Sequence, residues 1–198
     1  MRKIMTIMGA AIVSLVAYAT ADATDGPAYF GNKGCVCHRV EIADWAKSDH
    51  GNAFDQLLAA NRSRQENKAM KEAGLDYKAD YDTDPKCLAC HTVGYGRPGG
   101  YAEGNMKDDL KGVGCESCHG PGDLYRVLHK EKGETFTRGE AAALGAVSPP
   151  TEKRCRTCHD NPSSVFSSKT DPKYGFDFNE RMKRREAWHK EYPLLHQH

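Results

Sequence analysis

The chain has 198 residues, 28 of them Lys or Arg against 27 Asp or Glu, for a formal charge of +1. That length suits one domain, or one and a small appendage. A balance this near neutrality gives no attraction for nucleic acid or for an anionic membrane surface, so neither is expected as a partner.

Met1, Arg2 and Lys3 make a positive start, residues 4–19 are apolar, and Ala19-Thr20-Ala21 is a small-residue cleavage site. This reads as a secretory signal peptide over residues 1–21 and a mature domain over 22–198. The apolar run is too short for a transmembrane anchor, so no membrane span is expected in the mature chain. Periplasm or cell surface is the implied location. From Asp22 onward Leu, Ile, Val and Phe number 24 in 177 residues, which is little apolar material for a firm core. Something besides the polypeptide has to supply apolar bulk.

Residues 22–34 contain Gly26-Pro27 and Gly31-Asn32-Lys33-Gly34 and read as a loop. Cys35-Val36-Cys37-His38 follows. Residues 40–60 predict a helix despite Gly51, with His50, Ala53, Phe54 and Leu57 on one face at i, i+3, i+4 and i+7. Residues 61–86 are polar, with a short helix up to Ala73 stopped by Gly74 and an Asp-rich connector ending at Pro85. After Cys87-Leu88-Ala89-Cys90-His91, residues 94–101 form a loop whose glycines and two tyrosines lie over a cofactor edge or make a plain surface turn. Glycines frame Cys115-Glu116-Ser117-Cys118-His119 over residues 112–122, which would let backbone approach a flat macrocycle. Asp123 is a fair cap for a helix in which Tyr125 and His129 stack at i, i+4. Residues 130–154 read as another polar connector, with Ser148-Pro149-Pro150. Cys155-Arg156-Thr157-Cys158-His159 ends in the turn Asp160-Asn161-Pro162. A last helix is predicted from about 177 to 192 with Phe178, Met182 and His189 on one side, and Pro193 ends it before Leu194-Leu195-His196-Gln197-His198.

Three of these stretches are C-x-x-C-H and the one at Cys35 is a residue short, so all eight cysteines are used. C-x-x-C-H is a c-type haem attachment signature: two thiols add to the two vinyl groups of one porphyrin, and the adjacent imidazole reaches the iron. Disulfides of a secreted chain, or two zinc sites from paired C-x-x-C units, would also use the cysteines. Neither explains a histidine after the second cysteine all four times. The expected cofactors are four covalent haems c, on Cys35 and Cys37, Cys87 and Cys90, Cys115 and Cys118, and Cys155 and Cys158. His38, His91, His119 and His159 would be the proximal iron ligands. In the short motif the loop between the cysteines is expected to be more extended, with a thioether through Cys37 alone as an alternative. Haem attachment is expected to drive folding as structural metals do.

Five histidines remain for four distal positions: His50, His129, His189, His196 and His198. An iron held by two histidines has no open site and serves electron transfer rather than oxygen chemistry. The expected fold is mainly α, an irregular multihaem cytochrome c with few or no strands wrapped around four haems. The expected role is electron transfer between redox proteins. Two alternatives stand beside it. A five-coordinate haem on His91 would make an enzyme that reduces a small nitrogen oxide such as nitric oxide. A ligand donated head to tail by His196 or His198 would make the chain a subunit of a conductive filament.

The chain resembles the tetrahaem cytochrome c-554 family in residues 112–122, Gly-Val-Gly-Cys-Glu-Ser-Cys-His-Gly-Pro-Gly, and in 94–101, Gly-Tyr-Gly-Arg-Pro-Gly-Gly-Tyr. It does so again in 173–178, Lys-Tyr-Gly-Phe-Asp-Phe, and in 188–192, Trp-His-Lys-Glu-Tyr. The best-known member takes electrons from hydroxylamine oxidoreductase, and the family's haem pattern recurs in extracellular cytochrome filaments. The resemblance implies a carrier rather than an enzyme, with other multihaem cytochromes as donors and acceptors. It also implies His50 as distal ligand of the third haem, His129 of the first and His189 of the fourth, with none from the same chain for the second. The short first motif, the near-neutral charge and the short tail ending in two histidines depart from the familiar pattern.

Overall fold

Glycine, proline and aspartate recur every few residues, and the chain accordingly folds as short helices joined by hydrogen-bonded turns. The computed structural model describes residues 26–133, 135–184 and 189. The leader at 1–21, His196, His198 and the side chain of His129 lie outside the described residues. Among those described there are eight short α-helices and no β-strand, only the isolated bridges Thr92–Lys111 and Ala102–Asn105. None of these helices is long and apolar enough to cross a membrane.

Helix α1 (Arg39–Trp45) stops well before residue 60. The Ser48 hydroxyl takes the Trp45 carbonyl at 2.7 Å, and the Asn52 amide takes the Ala46 and Ser48 carbonyls. Side chains that bond nearby backbone compete with a helix in this way. Two 3₁₀ turns, Asp55–Leu57 and Ala59–Asn61, complete the segment. Ala53, Phe54 and Leu57 are nevertheless buried, as their spacing implied.

Helix α2 (Arg64–Glu72) is opened by a capping box between Ser63 and Glu66 and ends before Gly74 at φ 76°, where the sequence placed its stop. Helix α3 (Pro85–His91) begins with proline in its first turn behind an Asp84 cap and carries the whole second motif. The third motif is itself a helix, α4 (Cys115–His119). In α5 (Tyr125–Lys132) the cap position falls to Leu124. The Asp123 carboxylate instead accepts the Ala28 N–H at 2.7 Å and that of Leu124 at 2.8 Å, so it ties the N-terminal loop down.

The 130–154 connector contains a helix, α6 (Arg138–Ala143), which Thr137 and Glu140 open with a second capping box. Helix α7 (Glu152–Cys155) leads into the fourth motif. Helix α8 (Phe178–Met182), capped by Asp177, is much shorter than the predicted 177–192. Arg184 and His189 are not helical, so α8 itself does not carry His189.

The buried core is small: Phe54, Leu57, Leu88, Val93, Tyr101 and Leu110, with Tyr29, Tyr81, Cys87 and Tyr95 packed around it. The 94–101 loop belongs to this core and is no plain surface turn, since Tyr101 is 4% exposed and its N–H bonds Val93 O at 2.9 Å. Buried Arg62 holds the polar stretch beside it, donating to the carbonyls of Gln56 at 2.8 Å, Tyr77 at 2.8 Å, Leu57 at 3.1 Å and Ala79.

Candidate haem attachment sites

Helix α4 is the hub, packing on the 3₁₀ turn Asn32–Cys35 of the first motif and on α7 of the fourth. Two of its flanking glycines lie against protein backbone. Gly112 has φ 79°, and a Cβ there would lie 2.6 Å from Gly51 O; at Gly120, φ 87°, it would lie 2.2 Å from Gly145 O. Only glycine accepts both the positive φ and the close approach. The strap so formed is specific: Gly112 N–H bonds His91 O at 3.0 Å, Val113 N–H bonds His50 O at 2.9 Å, and Val147 N–H bonds His119 O at 2.8 Å.

Glu116, between the two cysteines of the third motif, is fully buried. Its carboxylate accepts the N–H groups of Gly122 at 2.7 Å, Gly31 at 2.8 Å and Phe30 at 3.1 Å. Burial pushes its carboxyl above the usual range, against the pull of those donors. Nothing in the sequence distinguished Glu116 from any other residue inside a C-x-x-C-H loop. The signal was long-range, because two of its three partners lie more than 80 positions away.

No disulfide joins any of the eight cysteines, and among the described residues no group of three or more His, Cys, Asp or Glu converges as a metal site. Thiols of different motifs meet instead. Cys35 contacts Cys115, Cys118 lies close to Cys155 and Cys158, and Cys90 contacts Cys158. The motifs run first, third, fourth, second in space.

The short motif is tight, where the sequence suggested an extended loop. His38 N–H bonds Cys35 O at 2.9 Å, an i to i+3 turn, whereas His159 N–H bonds Cys155 O at 3.0 Å across i to i+4. A 3₁₀-type turn holds one residue fewer than an α-turn, so the histidine still follows directly on the closed loop. Cys37 and His38 are exposed, as are Val36 at 59%, Val40 at 52% and Leu124 at 42%. These apolar side chains fit a porphyrin face better than solvent. Arg126 of α5 stands 4.5 Å over the Phe30 ring and brings that helix beside the first motif.

Burial holds the His91 and His119 imidazoles below the usual histidine range and lowers His159 to about 4, so all three are neutral and able to ligate. His119 Nδ1 lies 2.9 Å from Val147 O, and His91 Nδ1 faces Ala53 O. An Nδ1–H donated to a carbonyl leaves Nε2 as the free lone pair. The rings pair across motifs, His119 with His189 at 6.4 Å between centroids and His50 with His159 at 5.8 Å. The resemblance implied His50 for the third haem and His189 for the fourth; the His50 ring lies beside His159 and the His189 ring beside His119, while the His50 carbonyl accepts the Val113 N–H at 2.9 Å, two residues before the third motif.

A family model described as "Cytochrome c554 and c-prime" matches residues 35–120. Cytochrome c-554 of Nitrosomonas europaea is 32% identical over 212 residues, covering 97% of this chain and 88% of that protein. The solved structure of the reduced state of cytochrome c554 from Nitrosomonas europaea superposes with a TM-score of 0.75 at 32% identity, covering 86% of this chain and 89% of that one.

Proposed function

The chain belongs to the cytochrome c-554 family, an electron carrier rather than an enzyme, and from that premise we propose that it carries electrons outside the cytoplasm on four covalent haems c. Cys35 and Cys37, Cys87 and Cys90, Cys115 and Cys118, and Cys155 and Cys158 would hold them, each haem supplying a reversible one-electron change at iron. The single observation that carries this reading is the contiguity of the four motifs through their thiols. A chain that brings its attachment cysteines together in an unbroken series is suited to relaying charge across its body.

As the family resemblance implies, His50 would be the distal ligand of the third haem, opposite His119, and His189 that of the fourth, opposite His159; the 2.9 Å bond from the Val113 N–H to the His50 carbonyl, two residues before Cys115, supports the first of these. His129 would serve the first haem opposite His38, supported by the position of α5. That leaves His91 for His196 or His198, donated within the chain or by a neighbour. The protein would act in the periplasm or at the cell surface, with other multihaem cytochromes as donors and acceptors.

Expression with the native leader, followed by mass spectrometry and EPR of the oxidised protein, tests the assignment. The expected result is a mature protein starting near Asp22, released from the periplasm with four haem additions. His50→Ala and His189→Ala should each turn one low-spin haem high-spin while haem content stays at four. Three haems, or unaltered spectra in both variants, would overturn it.

A further inference from the structure

The four attachment loops differ in charge at one corresponding position. The residue after the first cysteine is Val36 in the first motif, Leu88 in the second, Glu116 in the third and Arg156 in the fourth. Arg156 keeps a partly exposed side chain and meets the carboxylates of Glu152 at 2.8 Å and Asp160 at 3.6 Å, so its charge is offset where it stands. Glu116 differs on both counts. It is fully buried, and backbone amides meet it: Oε1 accepts the Gly122 N–H at 2.7 Å and Oε2 that of Gly31 at 2.8 Å, with the Phe30 N–H shared between them at 3.3 and 3.1 Å. Donors on both oxygens favour the ionised form, and as neutral dipoles they hold the anion without cancelling its charge. The charged and titratable groups around it are Asp123, a second anion; Arg154, whose Nη2 donates at 3.3 Å to the Glu116 backbone carbonyl; Tyr125; and Arg126, 4.5 Å over the Phe30 ring.

Cys115 and Cys118 would tether one porphyrin from either side of Glu116, so the covalent loop itself keeps this anion beside the third haem. A surround of low dielectric strengthens its field there. Reduction takes one electron from a donor and turns that iron from ferric to ferrous, with no bond broken and no proton moved. The iron loses one unit of positive charge, so a fixed anion nearby favours the ferric form and lowers the potential. We propose that Glu116 is a potential-setting residue of the third haem, a buried carboxylate that makes this haem harder to reduce than its attachment loop would otherwise leave it. The inference rests on the attachment reading above, in which Cys115 and Cys118 hold a haem, and is independent of which histidine completes the coordination of its iron.

A redox titration of the holoprotein, read optically and by EPR at about pH 8 and so well above the ordinary carboxylate range, tests it with Glu116→Gln and Glu116→Asp beside wild type. Gln removes the charge and keeps an acceptor oxygen, whereas Asp keeps the charge and shortens the reach. Glu116→Gln should retain the wild-type haem count and spin states while one reduction equilibrium shifts about tenfold toward the ferrous form, which is 59 mV for a one-electron couple. Glu116→Asp should unfold more easily yet keep that midpoint near its wild-type value. Four unchanged midpoints in Glu116→Gln would overturn the proposal and leave haem attachment standing. An equal shift in Glu116→Asp would assign the effect to loop geometry rather than charge and overturn it as well, as would haem loss in Glu116→Gln. Peptide mapping of the wild-type protein separates the two readings: if Cys115 and Cys118 carry no haem, the attachment reading falls first and the inference with it.

Discussion

Glu116→Ala tests whether a carboxylate inside the third motif joins it to the first. Removing it strands three backbone N–H groups, of Phe30, Gly31 and Gly122, in a region with no access to solvent at Glu116 itself. Each buried donor left without an acceptor costs roughly 1–2 kcal/mol, or about 3–6 kcal/mol together, a large part of the ~5–15 kcal/mol that holds a domain folded. For a chain of this size that corresponds to a melting midpoint lower by about 6–20 °C. Glu116→Gln keeps an acceptor oxygen and sheds the buried charge, so it should cost much less. The charge also gives the pH dependence a sign. Burial raises the carboxyl, so the folded protein binds that proton more tightly than the unfolded chain, where the pKa is about 4.3. Its contribution is complete below that value and is lost as pH rises through the raised folded pKa. Asp123, Tyr125 and Arg154 face the same region, so the comparison is Gln against wild type across pH rather than either alone. Denaturant unfolding of the holoprotein, followed by circular dichroism, reads all of this. An Ala variant as stable as wild type would refute the reasoning, and so would a Gln variant with an unchanged pH slope.

Arg62→Lys should destabilise almost as much as Arg62→Ala, by about 2–4 kcal/mol in the same unfolding assay, because an ammonium cannot reproduce the fork that reaches four carbonyls; full rescue by Lys would contradict this. Burial lowers His91, His119 and His159, the last to about 4, so each gives up its proton more readily than an ordinary histidine of about 6.5. The low-spin optical spectrum should therefore hold as pH falls from about 7 to about 6.5, and a high-spin transition that begins above about 6.5 would contradict that sign. Deleting Leu194 to His198 should turn the haem on His91 high-spin, and a concentration-dependent form of the effect in light scattering would identify a neighbour as the donor. A truncated protein with an unchanged spectrum would remove the tail from the ligand set.

Much of the chemistry was legible because it is local. The histidine after each cysteine pair and the stop at Gly74 depend on residues within four positions of one another. The burial of Phe54 and Leu57 was legible from spacing even though the predicted helix was not there, since successive tight turns can keep an apolar set on one side as a helix does. Helix α6 was missed because its start is a capping box, Thr137 with Glu140, set in a stretch without an apolar stripe to mark it. Which rings lie beside each other was not legible for a different reason: spacing along the chain says that an imidazole is spare, but its neighbours depend on contacts between distant segments.

Two glycines around the third motif show what else a dense run of glycines can mark besides a flat cofactor. Their density does mark close approach, and a flat cofactor is the natural thing to suppose nearby. At Gly112 and Gly120 the approaching groups are the carbonyls of Gly51 and Gly145, the first directly after His50 and the second two residues before Val147. Gly112 seats the turn that holds His50, and Gly120 seats the segment whose Val147 carbonyl orients His119. A Cβ at either place would push one of these loops away and disturb the backbone next to His50 or the Val147 carbonyl that His119 faces. That is also why an alanine there should disturb ligation at two motifs at once rather than haem attachment at one.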